Sequence, residues 1–488
     1  MSSYQSIVSE AMTLAQEAFE IYQKVSGKKR AEFLVAIAEE IESLRDALVA
    51  TAHQETNLPF PRLNGEIGRT TGQLKMFAQL VAEGSWVEAT IDSPNAERVP
   101  PKPDTRKMLV PIGPVVVFGA SNFPFAFSTA GGDTASALAS GSSVVIKGHS
   151  AHARTSELVF SAIQKAIKRC GLHPQTVQHL LGAGAEVGRA LILHPNTTAV
   201  GFTGSQAGGK ALQSYAQQRE IPIPIYAEMS SINPVVLFPE TLTLNAASLA
   251  KTFAGSITLG MGQFCTKPGL LFAIESEGLS SFMAYLQTEI SQAPLHKMLH
   301  LGIAKAYNTA VETMVQQAGV GVVTNTRTSD DEQTPFPTIA KVSSKAFIAN
   351  PTLHEEAFGP YALIVVCEDK NDLANTLKNL KGQLTATLMA TDDDIKNYQE
   401  IVALQTSLAG RVILNAPPTG VEVTASMVHG GAYPSTFDAK YTSVGTSAIK
   451  RWVKPICLQG FRDWMLPDEL KNDNPLKIWR IVDNVFQQ

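Results

Sequence analysis

A chain of 488 residues is too long for one ordinary hydrophobic core and implies two or three domains. Hydrophobic residues at 44% and charged residues at 17% exclude a disordered chain, and a net charge of −4 excludes a basic face for nucleic acid. The four cysteines, Cys170, Cys265, Cys367 and Cys457, lie far apart without a CxxC pair. They suggest neither a zinc site nor a disulfide framework, and they fit a reducing compartment.

The N-terminus reads as an amphipathic helix rather than a secretory leader. No run of about 18 apolar residues is present to span a membrane. A cytoplasmic protein without membrane or nucleic-acid partners is expected. Residues 5–55 and 66–83 predict helices from apolar positions at three- and four-residue spacing, and the proline-rich, polar residues 92–108 predict a connecting arm. Four strand–helix pairs follow. PVVVFGA (114–120) precedes a helix at 128–140, SSVVIKG (142–148) one at 154–170, VQHLLG (177–182) one at 185–193, and TAVGFTGS (198–205) one at 208–218. Such alternation implies an α/β fold with a parallel sheet. A second series, PVVLF (234–238), LLFAI (270–274), ALIVV (362–366) and RVILN (411–415), suggests a boundary near residue 233.

Ligands of open parallel sheets bind beyond the carboxyl ends of the strands, where GASNFPF, KGHS, FTGS and AEMSS fall. FTGSQAGG places Gly204, Ser205 and Gly209 where amides and a hydroxyl can meet a phosphate at a helix N-terminus, although glycines there also serve packing. GMGQFCTKPG sets Cys265 among Gly260, Gly262, Pro268 and Gly269, a frame that presents a thiol instead of burying it as a small hydrophobe.

GASNFP, AEMSS, GQFCTKPG and EEAFGP together resemble the aldehyde dehydrogenase superfamily over residues 5 to about 460. The resemblance implies a Rossmann-like cofactor domain (1–233, with 92–108 in an oligomerisation arm) and an α/β catalytic domain (234–425). Residues 426–488 are then a return segment that ends in oligomerisation, in a homodimer or homotetramer. It implies oxidation of an aldehyde to a carboxylate with NAD or NADP. Cys265 matches the nucleophile, and Asn122 the side-chain donor to the oxyanion, with the Cys265 backbone N–H as a second donor. Glu228 matches the base that activates water for deacylation. Lys147 matches a contact to the adenosine ribose, and Glu356 and Phe358 match residues that position the nicotinamide. Ser150 stands where a ribose-chelating glutamate is common. With Lys147 and Arg189 it favours acceptance of a 2′-phosphate, whereas the bland reading has Ser150 capping the next helix.

Within the superfamily, AEMSSINP and VHGGAYPSTFD resemble a branch of 2,5-dioxopentanoate dehydrogenases and an NADP-dependent fatty aldehyde dehydrogenase. There a histidine at the place of His429 lies near the catalytic pair, either catalytic or loop-shaping. His149 and His152 are expected to shape the cofactor loop and bind no metal. Phe123, Phe127 and Phe264 are expected to line the substrate tunnel, and Arg106 or Arg154 to meet a substrate carboxylate. The substrate stays open between a semialdehyde and an aliphatic aldehyde. A cofactor-independent Cys–His acyl hydrolase, using Cys265 and His429, is the remote alternative.

Overall fold

The computed structural model describes residues 3–182, 184–324 and 331–488. Three sheets organise it. The first runs in the order Val177–Leu180, Val144–Lys147, Val115–Phe118, Ala199–Thr203, Ile225–Glu228, with every neighbouring pair parallel. Val115–Phe118 and Val144–Lys147 are short runs of Val, Ile and Phe, the second ending in Lys147, with every residue buried, as a sheet covered on both faces requires. The earliest strand, Val115–Phe118, lies in the middle. The chain builds outward to one edge and then returns to start the other side at Ala199. That reversal opens a crevice at the carboxyl ends of Val115–Phe118 and Ala199–Thr203.

Helices Gly132–Ser140, Ala153–Arg169, Gly184–Leu193 and Gln206–Ala216 make the crossovers. The helix predicted from residue 128 starts at Gly132, because residues 119–131 form a buried loop instead. The helical reading of 5–55 divides into Ser3–Tyr22, Gly27–Ser43 and Arg45–Thr56, and the Ser26 side chain caps the second by accepting from the Lys29 N–H. The next helix, Phe60–Glu83, begins before the predicted residue 66. Its Pro61 lies in the first turn, where the missing N–H has no partner to lose.

The second sheet has seven strands, in the order Gly321–Val322, Thr338–Ser343, Tyr361–Cys367, Leu270–Ile274, Val235–Leu237, Gln383–Met389, Ala409–Leu414. All are parallel except the first edge pair. Four match the predicted apolar runs. The fully buried Gln383–Met389 is not among them, because Gln383, Thr385 and Thr387 break its apolar pattern. A third sheet of five short strands joins Thr90–Asp92 and Thr105–Pro111 to Val453–Gln459 and the C-terminal hairpin Arg480–Val482/Val485–Gln487. Part of the expected arm is thus strand. Among the described residues, no helix is long and apolar enough to cross a membrane.

Two buried amides join the first sheet to the second. The chain leaves the Glu228 strand through residues 229–234, and Gln383 Oε1 there accepts from the N–H groups of Ile232 (2.8 Å) and Asn233 (3.2 Å) and from Ser231 Oγ (3.0 Å). Asn233, in the left-handed region at φ 48°, donates through Nδ2 to the carbonyls of Cys265 (2.8 Å) and Lys267 (3.0 Å). Asparagine tolerates that backbone better than most residues. The Gly269 N–H completes the seam by donating to the Ile232 carbonyl at 2.8 Å.

Gln383→Leu keeps the volume but strands the buried Ile232 and Asn233 N–H groups, at about 1–3 kcal/mol each when unrelieved, while Ser231 Oγ can still donate to Asn233 Oδ1. A lowered midpoint of thermal unfolding, with aldehyde oxidation reduced alongside, is the expected result. An unchanged midpoint would show that the seam contributes nothing.

Candidate active site

The crevice at the chain reversal is a cavity of about 720 Å³. Its wall includes Phe118, Lys147, Ser150, Gly204 and Ser205 at one end and Glu228, Cys265, Asn122, Glu356 and Phe358 at the other. Residues remote in sequence thus share one space, which suits a dinucleotide with its reactive end at the cysteine. Ser205 caps the helix Gln206–Ala216, its Oγ accepting from the Gly208 N–H at 3.1 Å, so that helix N-terminus opens on the cavity. Gly204 has no room for a side chain, since a Cβ there would lie 2.6 Å from the Phe202 ring.

Gly209 does not belong to this wall. It is buried on the inner face of its helix, where a Cβ would meet the Met229 sulfur at 2.6 Å, and Gly208 lines the cavity in its place. Ser150 does not cap a helix either. His149 takes that role, its Nδ1 accepting from the Ala151 N–H at 3.1 Å, which leaves the exposed Ser150 in the cavity wall. Lys147 is buried, with Nζ donating to the Gly148 carbonyl at 2.9 Å, and burial lowers its pKa. Arg189 lies nearby, 6.0 Å from the ring of Tyr215, another wall residue. His152 is buried with Nε2 on the Ala120 carbonyl at 2.8 Å, where it braces the loop carrying Asn122.

Cys265 is half-buried and borders the cavity. The turn before it runs through three consecutive left-handed residues, Gly260, Met261 and Gly262. At Gly262 only hydrogen fits, because a Cβ would come within 2.4 Å of the Gly359 carbonyl in EEAFGP. The cysteine loop is thereby pressed against the loop carrying Glu356 and Phe358. Asn122 Nδ2 donates to the Gln263 carbonyl at 3.1 Å, which brings the amide beside the cysteine.

Glu228 is buried at the end of its strand with both oxygens held: Oε1 lies 2.9 Å from His429 Nε2, and Oε2 accepts from Ser443 Oγ at 2.8 Å. His429 Nε2 is also 3.6 Å from Cys265 Sγ, and the reactive atoms of the three residues lie within 4.8 Å of one another. Among the described residues no other histidine, cysteine or carboxylate cluster is this tight, and His149 with His152 forms none. His429 Nδ1 is buried without a partner. The hydrogen-bond network therefore assigns the proton to Nε2, donating to Glu228, because a bare acceptor is a smaller loss than an unpaired buried N–H. In this tautomer Nε2 has no lone pair to take the thiol proton, which argues against the Cys–His hydrolase. Ser443 had no signal in the sequence, being one of many serines and 215 residues from its partner.

Burial drives the Cys265 pKa well above the usual thiol value, and the Glu228 charge pushes it further the same way, while Arg69 opposes both. Burial also pushes the Glu228 carboxyl up, but the electrostatic pull of His429 and hydrogen bonds from His429, Ser443 and Cys265 outweigh it and leave the pKa lowered. The resting pair is a thiol beside a carboxylate. Phe123 packs on Phe127 and Phe264 with ring centres 5.3 and 5.5 Å apart, in a cluster with Val421, Val423, Met427 and Val444. None of the three phenylalanines lines the 720 Å³ cavity, so they form a separate wall near the nucleophile.

Neither expected cation is there. Arg106 lies in the third sheet, bonded to Asp104, Asn472 and the Leu470 carbonyl, and Arg154 is exposed at the start of Ala153–Arg169. The guanidiniums beside the phenylalanines belong to Arg62 and Arg69 of Phe60–Glu83. The sequence hid them as ordinary charges on a helix.

A match to the aldehyde dehydrogenase family model spans residues 2–454. This chain is an aldehyde dehydrogenase. It is 46% identical to alpha-ketoglutaric semialdehyde dehydrogenase 2 of Azospirillum brasilense over 480 residues, covering 98% of this chain and 91% of that one. It is 44% identical to the alpha-ketoglutaric semialdehyde dehydrogenase of Acinetobacter baylyi over 483 residues, covering 99% and 91%. In fold it is similar to betaine aldehyde dehydrogenase from Staphylococcus aureus (TM-score 0.80, 19% identity, 94% of this chain and 89% of that one). It is also similar to a glyceraldehyde-3-phosphate dehydrogenase from Methanocaldococcus jannaschii complexed with NADP (TM-score 0.79, 18% identity, 93% and 94%). The aldehyde dehydrogenase oxidises an aldehyde to a carboxylate with a nicotinamide dinucleotide, and the 720 Å³ cavity and its helix N-terminus fit such a cofactor.

The raised thiol pKa sets a pH dependence. Below that pKa the thiolate fraction grows tenfold per pH unit, so alkylation of Cys265 by iodoacetamide in the cofactor-free enzyme should still be climbing at pH 9. Glu228→Gln removes a negative neighbour and moves the curve to lower pH. Mass spectrometry of the Cys265 peptide measures it; a wild-type plateau below pH 9 contradicts the electrostatics.

Proposed function

We propose that this aldehyde dehydrogenase oxidises a short semialdehyde bearing a carboxylate, with 2,5-dioxopentanoate as the best reading, and that it accepts NADP at least as well as NAD. The observation that carries the substrate is the identity of 46% and 44%, across nearly the whole chain, to two enzymes named for that semialdehyde. A medium- or long-chain aliphatic aldehyde is the second reading, favoured by the wall of Phe123, Phe127 and Phe264.

In the mechanism Cys265 loses its thiol proton to solvent and the thiolate Sγ bonds to the aldehyde carbon, while Glu228 stays ionised. The Asn122 amide and the Cys265 backbone N–H hold the oxyanion of the thiohemiacetal. A bound nicotinamide ring supplies the hydride acceptor. Lys147, Ser150, Gly204 and Ser205 hold the adenosine and phosphate end, and Glu356 and Phe358 position the other. Loss of hydride leaves a Cys265 thioester. Glu228 then takes a proton from water as its oxygen adds to the thioester carbon, and the thiolate leaves with the carboxylate product formed. His429 and Ser443, one on each oxygen, keep Glu228 aimed; His429 is a positioning residue. In this reading residues 1–233 and 426–488 frame the cofactor, while 234–425 carry the nucleophile. The third sheet, with exposed Val485 and Phe486, mediates a homodimer or homotetramer, and the protein works in the cytoplasm.

Steady-state kinetics with both cofactors test the reading. NADP should give a kcat/KM comparable with or above that of NAD. Ser150→Glu should shift the ratio toward NAD by one to two powers of ten, roughly 1.4 to 2.8 kcal/mol, by placing a carboxylate against the 2′-phosphate. A strong NAD preference that the substitution leaves untouched overturns the cofactor assignment.

A further inference from the structure

Arg62 and Arg69 are two helical turns apart and share one face of Phe60–Glu83. The Arg62 guanidinium carbon lies 4.5 Å from the ring centre of Phe264 and 4.9 Å from that of Phe123. These rings adjoin Cys265 and Asn122 in sequence. The Arg69 guanidinium carbon lies 5.1 Å from the ring centre of Phe127 and 6.0 Å from that of Phe123. Two cations are therefore set against the aromatic wall on the substrate side of the nucleophile. The rings hold the guanidinium planes by cation–π contact without using their N–H groups.

Most of those N–H groups have nothing to bind. Arg62 Nη2 donates to the Asn122 carbonyl at 2.6 Å, but Arg62 Nε and Nη1 and Arg69 Nε and Nη2 are buried without a hydrogen-bond partner. Among the described residues neither guanidinium makes an ion pair. Glu66, between them on the helix, gives Oε1 to the Phe125 and Ala126 N–H groups at 2.8 and 3.0 Å. Glu228 and the exposed Glu422 act on Arg69 only through space. Two guanidiniums against the one carboxylate of Glu66 leave a net positive charge. Burial works against both arginines, yet guanidinium does not give up its proton in proteins. Buried donors of this kind call for an anion, and a carboxylate matches the guanidinium fork.

We infer that Arg62 and Arg69 bind the far carboxylate of an ω-oxo acid while Cys265 attacks the aldehyde at its other end. This inference rests on the semialdehyde reading above. Arg69, the freer of the two, is the main anchor, and Arg62 links the bound carboxylate to the loop that carries Asn122. The three phenylalanine rings cover the carbon chain between the two ends. An aliphatic aldehyde of the same length finds the same wall but leaves the guanidiniums unpaired.

The test compares 2,5-dioxopentanoate with pentanal under saturating NADP, in wild type and in Arg69→Met and Arg69→Lys. Wild type should favour the acid by tenfold or more in kcat/KM. Arg69→Met should lower the acid-to-pentanal ratio at least thirtyfold, chiefly by raising KM for the acid. Arg69→Lys keeps the charge without the fork, should lower the ratio by a smaller factor, and stands in if the Met variant does not fold. NADP titration by fluorescence checks that the cofactor site is intact. A loss shared equally by both aldehydes, or no loss, overturns the arginine assignment while the semialdehyde reading stands. A wild-type preference for pentanal overturns both.

Discussion

The active site depends on a seam of buried amides between two sheets. Glu228 ends a strand of the first sheet, and Cys265 precedes a strand of the second. Nothing in either sheet alone fixes the distance between them. Asn233 does so by donating to the Cys265 and Lys267 carbonyls from the segment that follows Glu228, and Gln383 anchors that segment from the start of a strand of the second sheet. Thr385 Oγ1 donates to Asn233 Oδ1 at 2.9 Å, so the asparagine is satisfied on both sides of its amide. Such a network is costly only when incomplete, and complete it admits one arrangement.

Electrostatics around the nucleophile follow from that seam. A buried carboxylate beside a half-buried thiol keeps the sulfur protonated at rest, and the same carboxylate is held ready by His429 and Ser443. The segment that carries these two residues reaches the site from the C-terminal part of the chain, where Met229 N–H donates to the Ser435 carbonyl at 2.8 Å. Three stretches of sequence therefore meet on one carboxylate. Arg69 brings positive charge, which favours the thiolate. The thiol thus feels an acidic neighbour and a basic one.

Much of this was legible in the sequence because it is local. The apolar runs of the first sheet, the turn chemistry around Cys265 and the NFP loop each carry their signal within a few residues. Gly209 and Ser150 show where local reading stops. Whether a helix glycine faces a phosphate or a methionine is decided by helix rotation, and the turn cap beside Ser150 fell to His149. The strand Gln383–Met389 escaped because the polar residues that make the seam also erase its apolar pattern. Ser443, Asn233, Arg62 and Arg69 were invisible for a common reason: their partners lie far along the chain or are aromatic faces, and no spacing rule connects them.

The central claim is that Cys265 forms the covalent intermediate and Glu228 resolves it. Rapid mixing of Glu228→Gln with aldehyde and NADP, followed by mass spectrometry of the Cys265 peptide, tests it most directly. Removing the carboxylate lowers the thiol pKa, so acylation should survive. The account predicts a burst of one reduced cofactor per site, an acyl adduct on Cys265, and turnover slowed by about a hundredfold or more, a barrier increase near 2.7 kcal/mol. An unchanged steady-state rate, or an enzyme that binds NADP normally yet gives no burst and no adduct, would contradict it.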